Sequence, residues 1–102
     1  MSPLTVYKLV ILHMLSRTEG KMQASYLAFF LLENGYANLV NLALTFGELE
    51  ERELVEITDE DGKSFVRITQ AGREALHYFG DDLSMEIEQQ ADRFLSDHGL
   101  IR

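Results

Sequence analysis

Asn41, Thr45 and Glu48 stand four and three residues apart, so on a helix one face would carry an amide, a hydroxyl and a carboxylate. Those groups can meet base edges in a DNA groove. Asn pairs with adenine in bidentate fashion, a hydroxyl serves several bases, and a carboxylate accepts from cytosine N4. Asn38 precedes them and also suits a helix N-cap, which is the plainer account of it. Four bases, Arg17, Lys21, Lys63 and Arg67, are available to neutralise phosphates. The alternative is an ordinary solvated face with scattered surface charges. No other set of residues has the spacing for chemistry. His13, His77 and His98 form no HxxxH or HxxE pair, so no metal site is expected. There is no cysteine. Glu48, Glu50, Glu51 and Glu53 are clustered, but paired catalytic carboxylates need a pocket and unlike surroundings. There is no Ser/His/Asp set and no glycine-rich phosphate loop. Neither an enzyme nor a cofactor is expected.

The elements that must position these residues can be read in order. Ser2 caps and Pro3 opens a first helix that runs to about Arg17. Its apolar residues, among them Leu4, Leu9, Val10, Ile11, Leu12, Met14 and Leu15, make more than one stripe. In a domain this small the surplus suggests packing on a second subunit. Thr18-Glu19-Gly20 is a turn, with Gly20 as its turn residue, and Lys21 to Ala24 is extended. Ser25 caps a second helix, Tyr26 to Asn34, that ends at Gly35. Asn38 caps helix three, residues 39–52. Leu42, Phe46 and Leu49 face inward there, and Asn41, Leu44, Thr45 and Glu48 face outward.

A hairpin over residues 54–68 follows, with its turn at Asp59 to Lys63 around the Asp61-Gly62 signal and with Arg67 outward. Thr69 caps helix four, Gln70 to Phe79, which brings His77 to the edge of the core. Asp81-Asp82 opens helix five, where Leu83, Ile87, Ala91, Phe94 and Leu95 form a stripe that needs a partner surface. His98 to Arg102 reads as a fraying tail.

These elements predict an α+β fold, mainly α: a winged helix-turn-helix of three helices and a two-stranded wing, then two further helices. Residues 1–80 would be the winged domain and 81–102 a dimerising helix. The 102 residues suit a single domain, and 46% hydrophobic content suffices for a core. A net charge of -8 argues against non-specific nucleic-acid binding. The longest apolar run, Tyr26 to Leu32, is too short to span a bilayer. With no cysteine and no signal-peptide pattern, the expected compartment is the cytoplasm.

Leu42, Phe46, Leu49, Leu54-Val55-Glu56, Asp61-Gly62, Ile68-Thr69, Ala71-Gly72 and Ala75-Leu76 together resemble bacterial winged-helix regulators of the PadR and MarR type. Leu32-Glu33-Asn34-Gly35-Tyr36, followed by Asn38, is closer to an uncharacterised PadR-like family of Gram-positive anaerobes. The resemblance implies a homodimeric transcriptional regulator on a pseudo-palindromic site of double-stranded DNA. Helix three would lie in the major groove, the wing on the backbone, and the last helix between subunits. The chain departs from that pattern at its acidic helix three and acidic wing tip, and at Glu53, where such proteins usually have Gly. That departure motivates an alternative: a winged-helix module that contacts protein and not DNA. Tyr7, Tyr26, Phe29, Phe30 and Tyr36 are expected in the core, or around a small apolar pocket between subunits.

Overall fold

The computed structural model describes residues 3–19 and 21–101, with side chains from Thr5 onward. The expected cap at Ser2, the turn residue Gly20, the side chain of Leu4 and the terminal Arg102 lie outside the described residues. The elements are α1 (Pro3–Arg17), β1 (Lys21–Gln23), α2 (Ala24–Glu33), α3 (Leu39–Glu51), β2 (Val55–Glu60), β3 (Lys63–Ile68), α4 (Gln70–Phe79), a 3₁₀ turn (Gly80–Asp82) and α5 (Met85–Asp97). The fold is α+β and mainly helical, with one antiparallel sheet of three strands in the order β1-β3-β2.

The core is built around α1. Leu9, Val10, Ile11 and Leu12 are buried in succession, and Met14 and Leu15 follow them. Four consecutive buried residues point in all directions around a helix, so α1 needs neighbours on every side. It has them: α2, α3, α4, α5 and β3 all pack on it. The surplus apolar surface expected at a second subunit is therefore satisfied within the chain.

The same packing corrects the expectation for α5. Leu83, Ala91 and Leu95 are core residues, and Ile87 and Phe94 pack against that core from its edge. The stripe assigned to dimerisation is instead the cover that α1 requires. The helix also starts later than expected. Asp81 and Asp82 lie in the 3₁₀ turn, and Ser84 caps α5 by accepting from the Ile87 N–H at 3.2 Å. The Tyr36 hydroxyl donates to Gln90 Oε1 and ties the α2–α3 connection to α5.

The hairpin is longer and tighter than its sequence suggested. Only Asp61 (φ 52) and Gly62 (φ 78) form the turn, between Glu60 and Lys63. Two left-handed residues in succession make the type I′ geometry that matches strand twist. The extended segment after α1 is not a free connector. As β1 it pairs with β3 through Lys21↔Arg67, Met22↔Val66 and Gln23↔Phe65, which turns the two-stranded wing into a three-stranded sheet. Met22 and Val66 enter the core from its inner face. Because β1 runs straight into α2, the helix begins at Ala24 with Gln23 in the cap position and no side-chain cap, contrary to the role expected of Ser25.

The base of the hairpin is fastened to α4. The Thr69 hydroxyl accepts from the Gly72 N–H at 3.0 Å and donates to the Glu53 carbonyl at 2.7 Å. That second bond holds Glu53 in a left-handed conformation, φ 59, at the position where the regulators named above usually have Gly. Gly72 has no such freedom to spare. A Cβ there would stand 2.2 Å from the Leu54 carbonyl oxygen.

Candidate interaction surface on helix three

The residues that suggested base recognition are mostly committed inside the molecule. Asn38 is the N-cap of α3, accepting from the Asn41 N–H at 2.9 Å. Thr45 is fully buried, and its hydroxyl donates to the Asn41 carbonyl at 2.7 Å. The outward position expected for Thr45 is thus corrected. The helix is turned so that Leu42, Thr45 and Leu49 face inward, and the hydroxyl is satisfied by its own backbone. Phe46 lies partly buried at the edge of the core.

Glu48 forms an ion pair with Lys8 of α1. Its hydrogen bond with Lys8, then the charge of Lys8 and more weakly that of Arg52, hold the carboxyl below the usual carboxylate range. Only Asn41, half-buried, keeps its side chain uncommitted to any hydrogen bond among the described residues.

What α3 does present is apolar. Leu39 is 72% exposed, Val40 69% and Leu44 51%. Ala43 and Gly47 complete the same helix face, and Glu50 and Glu51 close its C-terminal end. The signal was in the sequence: the doublets Leu39-Val40 and Ala43-Leu44 repeat four residues apart, opposite the Leu42/Leu49 stripe.

The bases form a separate group. Arg17, Lys21 and Arg67 share a cleft of about 840 Å³ that none of Asn38, Asn41, Thr45, Glu48 or Lys63 lines. Two of the three meet acids: Arg17 Nε lies 3.3 Å from Asp92 Oδ1, and Lys21 Nζ lies 2.8 Å from Glu60 Oε2. His13 Nε2 meets the same Asp92 oxygen at 3.0 Å. Lys63 and Arg67 are exposed and, among the described residues, take part in no ion pair. His77 is exposed on α4 and not at the edge of the core.

The aromatic cluster packs on the chain's own α5, since Phe94 lies 6.0 Å from Phe29 and 5.3 Å from Phe30 between ring centroids, but Phe29 is 50% exposed and not in the core as expected. Among the described residues no group of three His, Cys, Asp or Glu is placed to hold a metal ion, and no helix is long and apolar enough to cross a membrane.

The molecule is thus a mainly helical α+β domain with an outward apolar helix face and a distinct basic cleft. A family model described as a domain of unknown function, DUF4364, matches residues 7–100, and the chain belongs to that family. No curated protein and no solved structure matches the chain.

Proposed function

We propose that the chain is a winged-helix domain that docks a protein partner through the outer face of α3. The winged-helix reading is supported by the order α1-β1-α2-α3-β2-β3, with β1 paired to β3 and the hairpin following α3 directly. The observation that carries the docking reading is the exposure of Leu39, Val40 and Leu44 on that helix. A helix that reads DNA needs donors and acceptors on its outer face. Here all but the half-buried Asn41 are spent on a cap, a buried back-bond and an ion pair, and the outer face is left apolar. Each large apolar side chain fully buried at an interface is worth about 1.5–3 kcal/mol, enough for a small hot-spot cluster.

The partner is set by charge. The apolar face of α3 ends at Glu50 and Glu51, on a chain of net charge -8. A second copy docked with its α3 parallel would oppose acid to acid, and one docked antiparallel would set Glu50 and Glu51 against the apolar Leu39-Val40 end, so neither arrangement neutralises the acids. An apolar helix or groove with a basic rim is complementary. One observation favours the regulator reading as a second possibility: Lys63 and Arg67 of the hairpin are exposed and without an ion pair among the described residues. They are then phosphate contacts of a homodimer on double-stranded DNA.

Two selections on the folded chain separate these readings. Panning a displayed library of amphipathic helices should enrich apolar sequences with Lys or Arg at the rim. Leu44→Glu should weaken the enriched peptide about tenfold or more, while the double variant Lys63→Ala/Arg67→Ala leaves it unchanged. If random duplex DNA at low salt instead yields a sequence whose binding is lost with Lys63 and Arg67, the docking proposal falls.

A further inference from the structure

The cleft beside β1 concentrates positive charge in an acidic protein. Three of the chain's nine lysines and arginines, Arg17, Lys21 and Arg67, line it, with Glu19 as the lone acid of the lining. Two of these bases are set against each other. Lys21 and Arg67 are direct partners across the β1–β3 ladder, and both are exposed on the outer face of the sheet. Directly opposed like charges on neighbouring strands destabilise a sheet. Part of that cost is relieved: Lys21 leans over the Phe65 ring, 4.8 Å from its centroid, to reach Glu60, and Arg67 has Glu56 opposite it on β2. Arg67 nonetheless takes part in no ion pair among the described residues. The same cleft holds two aromatic walls, Tyr26 and Phe65. Its volume of about 840 Å³ is of the size that small-ligand sites have, about 300–1,000 Å³.

We infer that this cleft binds a nucleoside 5′-phosphate. A phosphate bridging Lys21 and Arg67 converts a repulsive pair into two charge-assisted contacts, with the Arg67 guanidinium offering the fork that matches phosphate oxygens. A multiply charged phosphate end suits Lys21 and Arg67, with Arg17 also lining the cleft, better than a monoanion does, and it must draw Lys21 away from Glu60. The planar base lies against Phe65. Lys21 must leave the ring for the phosphate, and the ring it uncovers is the one the base takes. The site uses no residue of the outer face of α3 and is independent of the docking proposal.

Amide chemical shifts of the uniformly labelled chain, titrated with ADP, test this. Shifts are expected at Met22, Gln23, Phe65, Val66 and Arg67, saturating together. Arg67→Ala should raise the ADP dissociation constant about tenfold, the loss of one charge-assisted contact pair. Phe65→Leu should weaken ADP while leaving the weaker response to inorganic phosphate unchanged, and adenosine alone should bind more weakly than ADP. Leu44→Glu should change nothing here. No saturable shift with ADP, shifts scattered over the surface, or an ADP response that survives Arg67→Ala would each overturn the assignment.

Discussion

Helices α3 and α5 are both thirteen residues long, and both are capped by a side chain, Asn38 in one and Ser84 in the other. They differ in how they sort their apolar residues. In α5, Ala91 and Leu95 are buried, Ile87 and Phe94 pack on the core, and the outward positions carry Glu86, Gln89 and Arg93, with Met85 of the first turn the one large apolar side chain left exposed. In α3 only Leu42 and Leu49 are apolar and buried, while Leu39, Val40, Ala43 and Leu44 face outward. For α5, amphipathicity and folding are one requirement. For α3, apolar residues exceed what the core accepts. The excess collects on one face and not at scattered positions, which is the pattern of a binding surface.

Mutational energetics can break this comparison. The largest contrast is Leu95→Ala against Leu44→Ala. Leu95 is fully buried, and its truncation should cost about 2–5 kcal/mol in urea unfolding. Leu44→Ala should stay within about 0.5 kcal/mol. Equal losses would mean that the outer residues of α3 do serve the fold.

The glycines give the next contrast. Ala at Gly72 would push into the Leu54 carbonyl and stand 2.9 Å from Ile68 Cγ1, so Gly72→Ala should destabilise by about 1–3 kcal/mol. Gly47 has open space around its missing Cβ, and Gly47→Ala should raise stability by about 0.5–1 kcal/mol through helix propensity alone. A loss at Gly47 would place an unrecognised contact on the outer face.

The caps sharpen the likeness of the two helices. Asn38→Ala and Ser84→Ala should each lower stability by about 0.5–2 kcal/mol, read by thermal unfolding. Neither should alter the docking face. Asn38→Ala abolishing partner binding with little loss of stability would return Asn38 to the recognition set.

The smallest effect is that of Glu48. Its folded-state carboxyl titrates below the ordinary 4.5 because Lys8 holds it charged. The increment it adds is present above that ordinary value and is lost as pH falls through the depressed one. Glu48→Gln should therefore flatten the acid limb of the stability–pH curve below about pH 4.5 and leave neutral pH nearly unchanged.

Much of the architecture could be read from local signals. Asp61-Gly62 marked the hairpin, Asn38 and Thr69 marked two caps, and the five helices lay within a few residues of their places. What could not be read locally was the identity of each neighbour. The apolar residues of α1 and the stripe of α5 each asked for a partner, and only the closed packing shows that they answer one another. Thr45 was placed outward because a hydroxyl reads as polar. A back-bond to its own helix lets it sit among leucines, and no pattern of residue types announces that. The pairing of β1 with β3 was equally hidden, since three residues leading into a helix carry no periodicity of their own. The candidate site fared worse than the fold. Of the four bases, Arg17, Lys21 and Arg67 line one cleft away from α3, and Lys63 stands apart from it.

That β1–β3 pairing bears on the order of assembly. The β2–β3 hairpin is closed by two residues and can form by itself. β1 can join it only after the chain has passed through α2, α3 and the whole hairpin, so this ladder carries a loop-closure cost that the hairpin does not. The third strand is then the last part of the sheet to form and the first to open. Lys21 and Arg67 face each other only in chains whose third strand is paired. An anion that bridged them would select those chains from the ensemble and draw the opening equilibrium shut, a latch set by mass action on the pairing of the third strand.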